Sequence, residues 1–357
     1  MRFYKFILYP FALVYGIAMM VRNWLFDCGC LPSRQFDTPI ISVGNLSYGG
    51  TGKTPHIEYL IRLLKSRFLV ATLSRGYGRS SKGFMLASRR SAFKYIGDEP
   101  LQFAKKFEDI KVAVDENRIE GIEELQRRFP NLDVILLDDA FQHRYVKPGL
   151  SILLTDFHNL YADDYVLPSG TLREFSCGAK RADVLIVTKT PKVFSPITRR
   201  RIMEELKPRP HQQIFFSFIQ YGEPEAVNPE HRSSCPFKSS MILLFSGIAN
   251  DYPLREHLER HCRTLETIKF PDHHPYSLED LHMIKSRFDT IPTRNKLVFT
   301  TEKDLMRLKT PELVHFLKRL PLFYLPIEID FHGESKEQFN QIILDYLLNF
   351  KRNNQVL

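Results

Sequence analysis

A chain of 357 residues, 43% hydrophobic and 25% charged, is long enough for about two globular domains and excludes extended disorder. Its net charge of +9 calls for an anionic partner, whether nucleotide, nucleic acid or acidic membrane surface, without choosing among them. Scattered cysteines (Cys28, Cys30, Cys177, Cys235, Cys262) exclude a disulfide framework, and Cys28-Gly29-Cys30 has no second pair with which to hold zinc; a reducing, cytosolic setting fits.

The chain opens on an apolar stretch. Residues from Phe6 to Val21 carry no charge, Arg2 and Lys5 precede them, and Arg22 follows. The run is shorter than the roughly 20 residues that cross a bilayer. A full span, a buried helix and a signal peptide are all open readings, although Cys28-Gly29-Cys30 is a poor cleavage site. An anchor that enters one leaflet, held by the flanking Arg and Lys, fits both the length and the charges. Pro10 is expected to bend it. The 28 Phe lean toward a membrane or apolar ligand, though core packing accounts for most of them.

From Pro39 the pattern turns to α/β. Apolar runs at 40–43, 68–73, 111–114, 134–137, 152–154 and 184–187 predict buried strands, with helical periodicity between several of them. Such alternation predicts a mostly parallel sheet with helices on both faces and ligands beyond the carboxyl ends of the strands. Pro-rich and polar segments at 191–210 and 222–236 read as a connection. Within it, Arg199-Arg200-Arg201 reads as a solvated charge run, with attraction to membrane phosphates as the second reading. Runs at 241–245, 297–300 and 322–325 predict a smaller α/β domain. Ser335-x-x-Gln338 starts a last helix with Phe339, Ile342, Ile343, Tyr346 and Leu347 on one face. The expected division is a hydrophobic helix at 1–30, a larger domain at 31–220, a smaller one at 221–330 and the C-terminal helix at 331–357.

Ser47-Tyr48-Gly49-Gly50-Thr51-Gly52-Lys53-Thr54 lies between the first strand and a helix marked by Ile57, Leu60, Ile61 and Leu64. Strand, glycine turn, Lys-Thr and helix come in the order a phosphate cradle requires. Glycines let backbone N–H groups turn around an anion, and the helix start adds partial positive charge. Lys53 would reach the β- and γ-phosphates, and the Thr54 hydroxyl would sit on Mg²⁺. Ser47 stands where the usual G-x-x-x-x-G-K-[ST] has glycine, and Gly49 and Gly50 can take over the turn. Asp138-Asp139 ends the strand at 134–137, where P-loop proteins hold Mg²⁺. Val187-Thr188-Lys189-Thr190-Pro191 resembles a guanine-reading N-K-x-D with Pro191 in place of the aspartate, which favours ATP.

Other segments are weaker when taken singly. Gly97-Asp98-Glu99-Pro100 fixes two carboxylates in a turn. One could take a proton from an attacking hydroxyl and the other join a metal shell, but acid pairs before Pro equally begin helices. Asp272-His273-His274 has no third ligand spaced for zinc; a histidine that orients a carboxylate and a plain pre-helix loop are both open. Ser74-Arg75-Gly76-Tyr77-Gly78-Arg79, Asp115-Glu116-Asn117-Arg118, Leu172-Arg173-Glu174 and Thr301-Glu302-Lys303-Asp304 are polar loops, three of which carry Arg suited to phosphate oxygens. No helix-turn-helix or aromatic–basic strand motif supports nucleic-acid binding.

In order and combination these motifs resemble the lipid A 4′-kinases (tetraacyldisaccharide 4′-kinases) of Gram-negative bacteria over most of the chain. The resemblance is carried by Val43-Gly44-Asn45-Leu46-Ser47 leading into the glycine loop, Ser74-Arg75-Gly76-Tyr77-Gly78, Gly97-Asp98-Glu99-Pro100 and Asp138-Asp139-Ala140-Phe141-Gln142-His143. Leu172-Arg173-Glu174, Phe270-Pro271-Asp272-His273-His274 and Thr301-Glu302-Lys303-Asp304 complete it. It implies a P-loop NTPase-like α/β/α domain with a mostly parallel sheet, a second, smaller α/β domain and an N-terminal membrane-associating helix. It implies a monotopic enzyme on the cytosolic face of the inner membrane, with no obligate protein partner. That enzyme would move the ATP γ-phosphate to the 4′-hydroxyl of an acylated glucosamine disaccharide 1-phosphate. By the same resemblance Asp98 is the base and His273 its partner. Thr54 and Asp138 serve Mg²⁺, with Glu99 and Asp139 nearby, and Lys53, Arg118 and Arg173 neutralise developing phosphoryl charge. Ser47 is then the family's own form of the loop. The rival readings are a P-loop kinase for another membrane lipid or sugar, and a nucleotide switch.

Overall fold

The computed structural model describes residues 3–231, 239–248, 250–310 and 312–355. Arg2, Cys235 and the end of the expected connection at 232–236 lie outside the described residues. The first helix, α1 (Phe3–Asp27), continues through Pro10 and extends beyond the uncharged run. Its last turns carry polar groups that find partners on the body of the protein. Arg22 donates to the Gln142 carbonyl at 3.1 Å, Asn23 to Glu174 at 2.6 Å, and Asp27 pairs with Arg144 at 2.6 Å. Gly16 permits close approach, since a Cβ there would fall 2.5 Å from the Phe175 ring.

The larger sheet begins with β1 (Ile40–Asn45), which runs into α2 (Lys53–Leu64). There follow β2 (Val70–Ser74), β3 (Met85–Ala87), α3 (Phe93–Ile96), α4 (Asp98–Lys106), β4 (Lys111–Val114), α5 (Arg118–Arg128), β5 (Val134–Asp138), β6 (Leu150–Asp156) and β7 (Val184–Thr188). Next come α6 (Pro196–Leu206) and β8 (Gln213–Tyr221). The smaller unit holds β9 (Glu225–Ala226), β10 (Met241–Ser246), α7 (Tyr252–Glu259), β11 (Thr264–Lys269), α8 (Leu278–Thr290), β12 (Lys296–Thr301), α9 (Glu302–Leu308), α10 (Val314–Leu317) and β13 (Leu322–Leu325). Finally β14 (Ile327–Phe331) and α11 (Ser335–Gln355) return to the larger sheet.

That sheet has nine strands in the order β14-β8-β7-β6-β1-β5-β2-β4-β3. Only the edge strands β3 and β14 pair antiparallel. Successive side chains of a strand point to opposite faces, and the cores follow. Ile41 and Val43 pack with Ile57, Leu60, Phe103, Phe339 and Ile343, beneath α2, α4 and α11. Ile40 joins Leu73, Leu137, Ile122 and Leu125, beneath α5. A third cluster combines Ala12 of α1, Leu153, Leu185 and Val187 of the sheet, and Ile202 and Leu206 of α6. β1 lies between β5 and β6, parallel to both, so the loops beyond the carboxyl ends of these central strands meet at the place where α/β sheets bind ligands.

The smaller sheet runs β11-β10-β12-β13-β9, parallel except for β9. Its helix α8 starts with a complete capping box, in which the Ser277 side chain accepts from the Asp280 amide and Asp280 accepts from the Ser277 amide. A division at 330 cuts β14, which pairs with β8 (Ile329 opposite Ile219) as part of the larger sheet. Its alternation of buried and partly exposed residues, without an all-apolar run, hides it from a search for buried strands.

Candidate active site

The glycine loop leaves β1 and turns through Gly49 (φ 118°) and Gly52 (φ 88°), conformations an L side chain rarely adopts, before α2 begins at Lys53. Its carbonyls are tied from outside: that of Gly50 accepts from Lys189, that of Thr51 from the Thr188 hydroxyl at 2.9 Å, and that of Gly52 meets the His56 ring at 2.7 Å. Asn45 donates to the Ser47 carbonyl at 2.7 Å and to the Thr51 hydroxyl at 2.8 Å. The Tyr48 amide donates to the Thr171 carbonyl, which joins the loop to the Leu172-Arg173-Glu174 segment. His56 is buried and its other ring nitrogen lies 3.0 Å from the Ser217 hydroxyl; burial pushes its pKa down to about 4, so it is a neutral brace.

Asp138 and Asp139 follow at the end of β5. Asp139 has φ 50° and is gripped by both arms of Arg173 (2.9 and 3.1 Å), with the Lys53 ammonium 3.6 Å away. Burial would raise its carboxyl, but Lys53 and Arg173 outweigh it and hold the carboxyl below its ordinary value. Asp138 lies deeper, with Oδ1 buried and without a hydrogen-bond partner. Burial, reinforced by the charge of Asp139, pushes it up to about 6. Arg118 is 3% exposed and donates to the Asp115 carbonyl at 2.9 Å. Burial lowers it to about 10 against the opposing pull of Asp138 and Asp139, so its charge acts on these acids from behind.

The smaller domain supplies the facing wall. Asp98, at the start of α4, lies 3.1 Å from Nδ1 of His273 although 175 residues separate them in sequence. Arg307 of α9 donates to the same Asp98 oxygen through Nε (3.0 Å) and Nη2 (2.5 Å). Lys303 pairs with Glu99 at 2.7 Å, and its Nζ lies 3.2 Å from His273 Nε2. Nδ1 of His273 thus faces the Asp98 carboxylate and Nε2 the Lys303 ammonium. Burial would raise Asp98, but its bonds to Glu99 and His273 and the charges of Lys303 and Arg307 outweigh this and hold it well below the usual carboxylate range. Glu99 moves the other way, pushed up to about 7 by burial and Asp98 against the pull of Lys303. Lys303 also acts on Asp138, which joins this cluster to the glycine-loop side of the cleft. The Tyr77 ring lies 5.4 Å from the His273 ring.

A glycine loop, an acid pair beyond it with Asp138 buried and Asp139 partly exposed, and a carboxylate–histidine pair joining the two α/β units make up the candidate site. The amino-acid sequence matches the family described as tetraacyldisaccharide-1-P 4′-kinase over residues 4–348. The chain belongs to this kinase family. It is 46% identical to the tetraacyldisaccharide 4′-kinase of Bacteroides thetaiotaomicron, over 97% of this chain and 94% of that protein. It is 47% identical to that of Flavobacterium johnsoniae, over 96% of each. The fold is similar to the crystal structure of LpxK from Aquifex aeolicus in complex with ATP, with TM-score 0.72 and 29% identity over 96% of this chain and 99% of that one.

Within this kinase fold, three residues given no site role from the sequence bear on the site: Asn45 and His56, which fix the glycine loop, and Arg307, which holds Asp98. His56 carries a faint signal, a polar residue beside the apolar stripe of α2. Lys189, read in the sequence only as a base-recognition position, here ties Gly50 to Asp156, 2.6 Å from its ammonium.

Proposed function

We infer that this kinase transfers the γ-phosphate of ATP to the 4′-hydroxyl of a tetraacyldisaccharide 1-phosphate in lipid A biosynthesis. The observation that carries the reading is the contact, 3.1 Å long, between Asp98 of the glycine-loop domain and His273 of the smaller one. A phosphoryl donor and a sugar hydroxyl can meet there beside a group able to take the proton. Phosphoryl transfer needs positioning and charge neutralisation more than covalent chemistry. Ser47 to Thr54 would wrap the triphosphate, Lys53 would leave Asp139 for the β- and γ-phosphates, and Arg173 and Arg118 would add positive charge around them. The pair accepts the hydroxyl proton, and the Asp98 carboxylate stabilises the charge His273 then carries. Arg307 and Lys303 keep that carboxylate ionised and aligned.

Mg²⁺ fits the residues present. The partnerless Oδ1 of Asp138 suits a hard cation, and with it the Thr54 hydroxyl and Glu99, once released from Lys303, would supply oxygen ligands to a metal that neutralises phosphate charge. The exposed apolar face of α1 supports a seat in the cytosolic leaflet of the inner membrane: Ile7–Asp27 is long and apolar enough to cross a bilayer and only 11% buried, with Phe11, Val14 and Trp24 at least 60% exposed. The acceptor's acyl chains would stay in lipid while its sugar reaches the cleft. The test is thin-layer analysis of product from labelled ATP and the disaccharide 1-phosphate. Transfer of label to the 4′-position, lost in Lys53→Ala, is expected. Hydrolysis of ATP without acceptor labelling would refute the reading in favour of a nucleotide switch.

A further inference from the structure

We propose that α6 and the loop before it form a second membrane contact, an apolar and basic patch that seats the kinase on anionic lipid in the leaflet that receives α1. The proposal rests on the reading of α1 as the anchor and goes beyond it. Val193 is 92% and Ile197 81% exposed, while Ile202 and Leu206 on the other side of α6 are buried. A lone exposed apolar residue is ordinary. Here two very exposed ones stand among exposed Lys192, Arg199, Arg200 and Arg201, on a helix whose first turn holds no acid. Glu204 and Glu205 lie in its second half; Arg201 reaches Glu205 at 3.8 Å, and Lys207 and Arg209 follow. Arg199 lies over the Phe216 ring at 5.2 Å. Apolar side chains among cations suit the boundary between acyl chains and anionic headgroups.

Continuity with α1 selects a bilayer as the occupant. The Tyr161–Val166 segment runs between the two helices. Tyr165 meets Tyr9 of α1 edge-on at 6.2 Å, and a Cβ on Gly16 of α1 would lie 3.1 Å from Val166. Tyr161 shares one hydrophobic cluster with Ala12 of α1 and with Ile202 and Leu206 of α6. Tyr165 stays 45% exposed between them, an amphipathic ring of the kind found at membrane interfaces. A single helix lying in a leaflet leaves the body free to rotate about its axis. A second contact would fix that rotation, and with it the height of the cleft above the headgroups.

The chain has one tryptophan, Trp24, so a Trp24→Phe/Ile197→Trp full-length protein carries a single reporter on α6. In phosphatidylglycerol–phosphatidylcholine vesicles with brominated acyl chains its fluorescence should be quenched, as should that of Trp24 in the parent. Quenching of Trp24 with none at position 197 overturns the proposal. Independently, Arg199→Glu/Arg200→Glu should weaken partitioning to anionic vesicles at least about tenfold at low salt. The variant should still phosphorylate detergent-dispersed acceptor at the parent rate. Unchanged partitioning also overturns the proposal. Failure of the parent itself to phosphorylate the acceptor would count against the functional reading and leave the quenching result standing.

Discussion

Arg307→Met isolates the most consequential ion pair in the cleft. The Arg307 and Asp98 side chains are 2% and 4% exposed and joined by two hydrogen bonds. Removing one partner of a buried pair costs about 3–5 kcal/mol, because the other charge is left in a medium that solvates it poorly. His273 and Lys303 still face Asp98, so a loss near the lower end, about 3 kcal/mol, is expected. Asp98→Asn/Arg307→Met removes both charges and should recover at least about 2 kcal/mol of it. The sign with pH follows from the depressed Asp98 carboxyl. Its contribution is present above the unfolded value of 3.8 and, in the parent, is lost only in strong acid as pH falls through the folded value. Without Arg307 the folded carboxyl rises by about 2 pH units for a loss of about 3 kcal/mol, which leaves it below the unfolded value, so the deficit should be the same at about pH 8 and at about pH 5. Urea unfolding of the full chain in detergent, at both pH values, measures this. A single variant as stable as the parent, or a double variant no better than Arg307→Met, would refute the argument.

Asp138→Asn should raise stability in the presence of a chelator, because it removes a buried, partnerless charge. The shift from 3.8 to about 6 corresponds to roughly 3 kcal/mol. Since the folded value is the higher one, this penalty is absent below pH 3.8 and complete above about pH 6, so the gain should appear at pH 8 and vanish near pH 4. A gain that does not vary with pH would contradict this. The same variant should lose the Mg²⁺-dependent part of nucleotide affinity, read by calorimetry with and without the metal. His273→Ala should slow single-turnover phosphorylation by about 10²–10⁴ while leaving ATP affinity within a few fold; a parent-like rate removes the pair from the chemistry. His56→Ala should raise the KM for ATP more than it lowers kcat, because it frees the Gly52 carbonyl that fixes the loop. An unchanged KM would make His56 merely a core residue.

The glycine loop was legible because its chemistry is contiguous: eight consecutive residues, a strand before them and a helix after. The acids at Asp138 and Asp139 were legible for the same reason, as the end of an all-apolar strand. His273 and Asp98 are different. Each looked like a common loop or helix start, and only the family resemblance joined them. Arg307 gave no such sign, since a basic residue in the last turn of a short helix normally complements the helix dipole in solvent. What makes it functional is the packing of α9 on α4, which no local pattern encodes. β8 and β14 escaped because the chain leaves the larger sheet after Tyr221 and returns at Ile327, with the smaller domain inserted between them.

That insertion explains why the domain contact and the chemistry coincide. α4 belongs to the larger sheet and α9 to the smaller domain. Between them run Arg307 to Asp98, Lys303 to Glu99, and Lys106 to Glu302 at 2.9 Å; Lys106 also reaches Glu58 of α2 at 2.8 Å. The first two pairs lie at the acceptor end of α4, and the third ties α9 to the helix that carries the glycine loop. Parting the domains would strip Asp98 of both cations while leaving it attached to α4. It would also take His273 away and open Asp98 to water, so its carboxyl would return toward the ordinary carboxylate value. The Asp98–His273 contact therefore exists only while the smaller domain is seated on α4. An enzyme whose acceptor arrives from a lipid surface gains from this arrangement. On the proposed reading its proton acceptor is assembled by the domain contact itself, so ATP bound with the domains apart would have no paired base beside it.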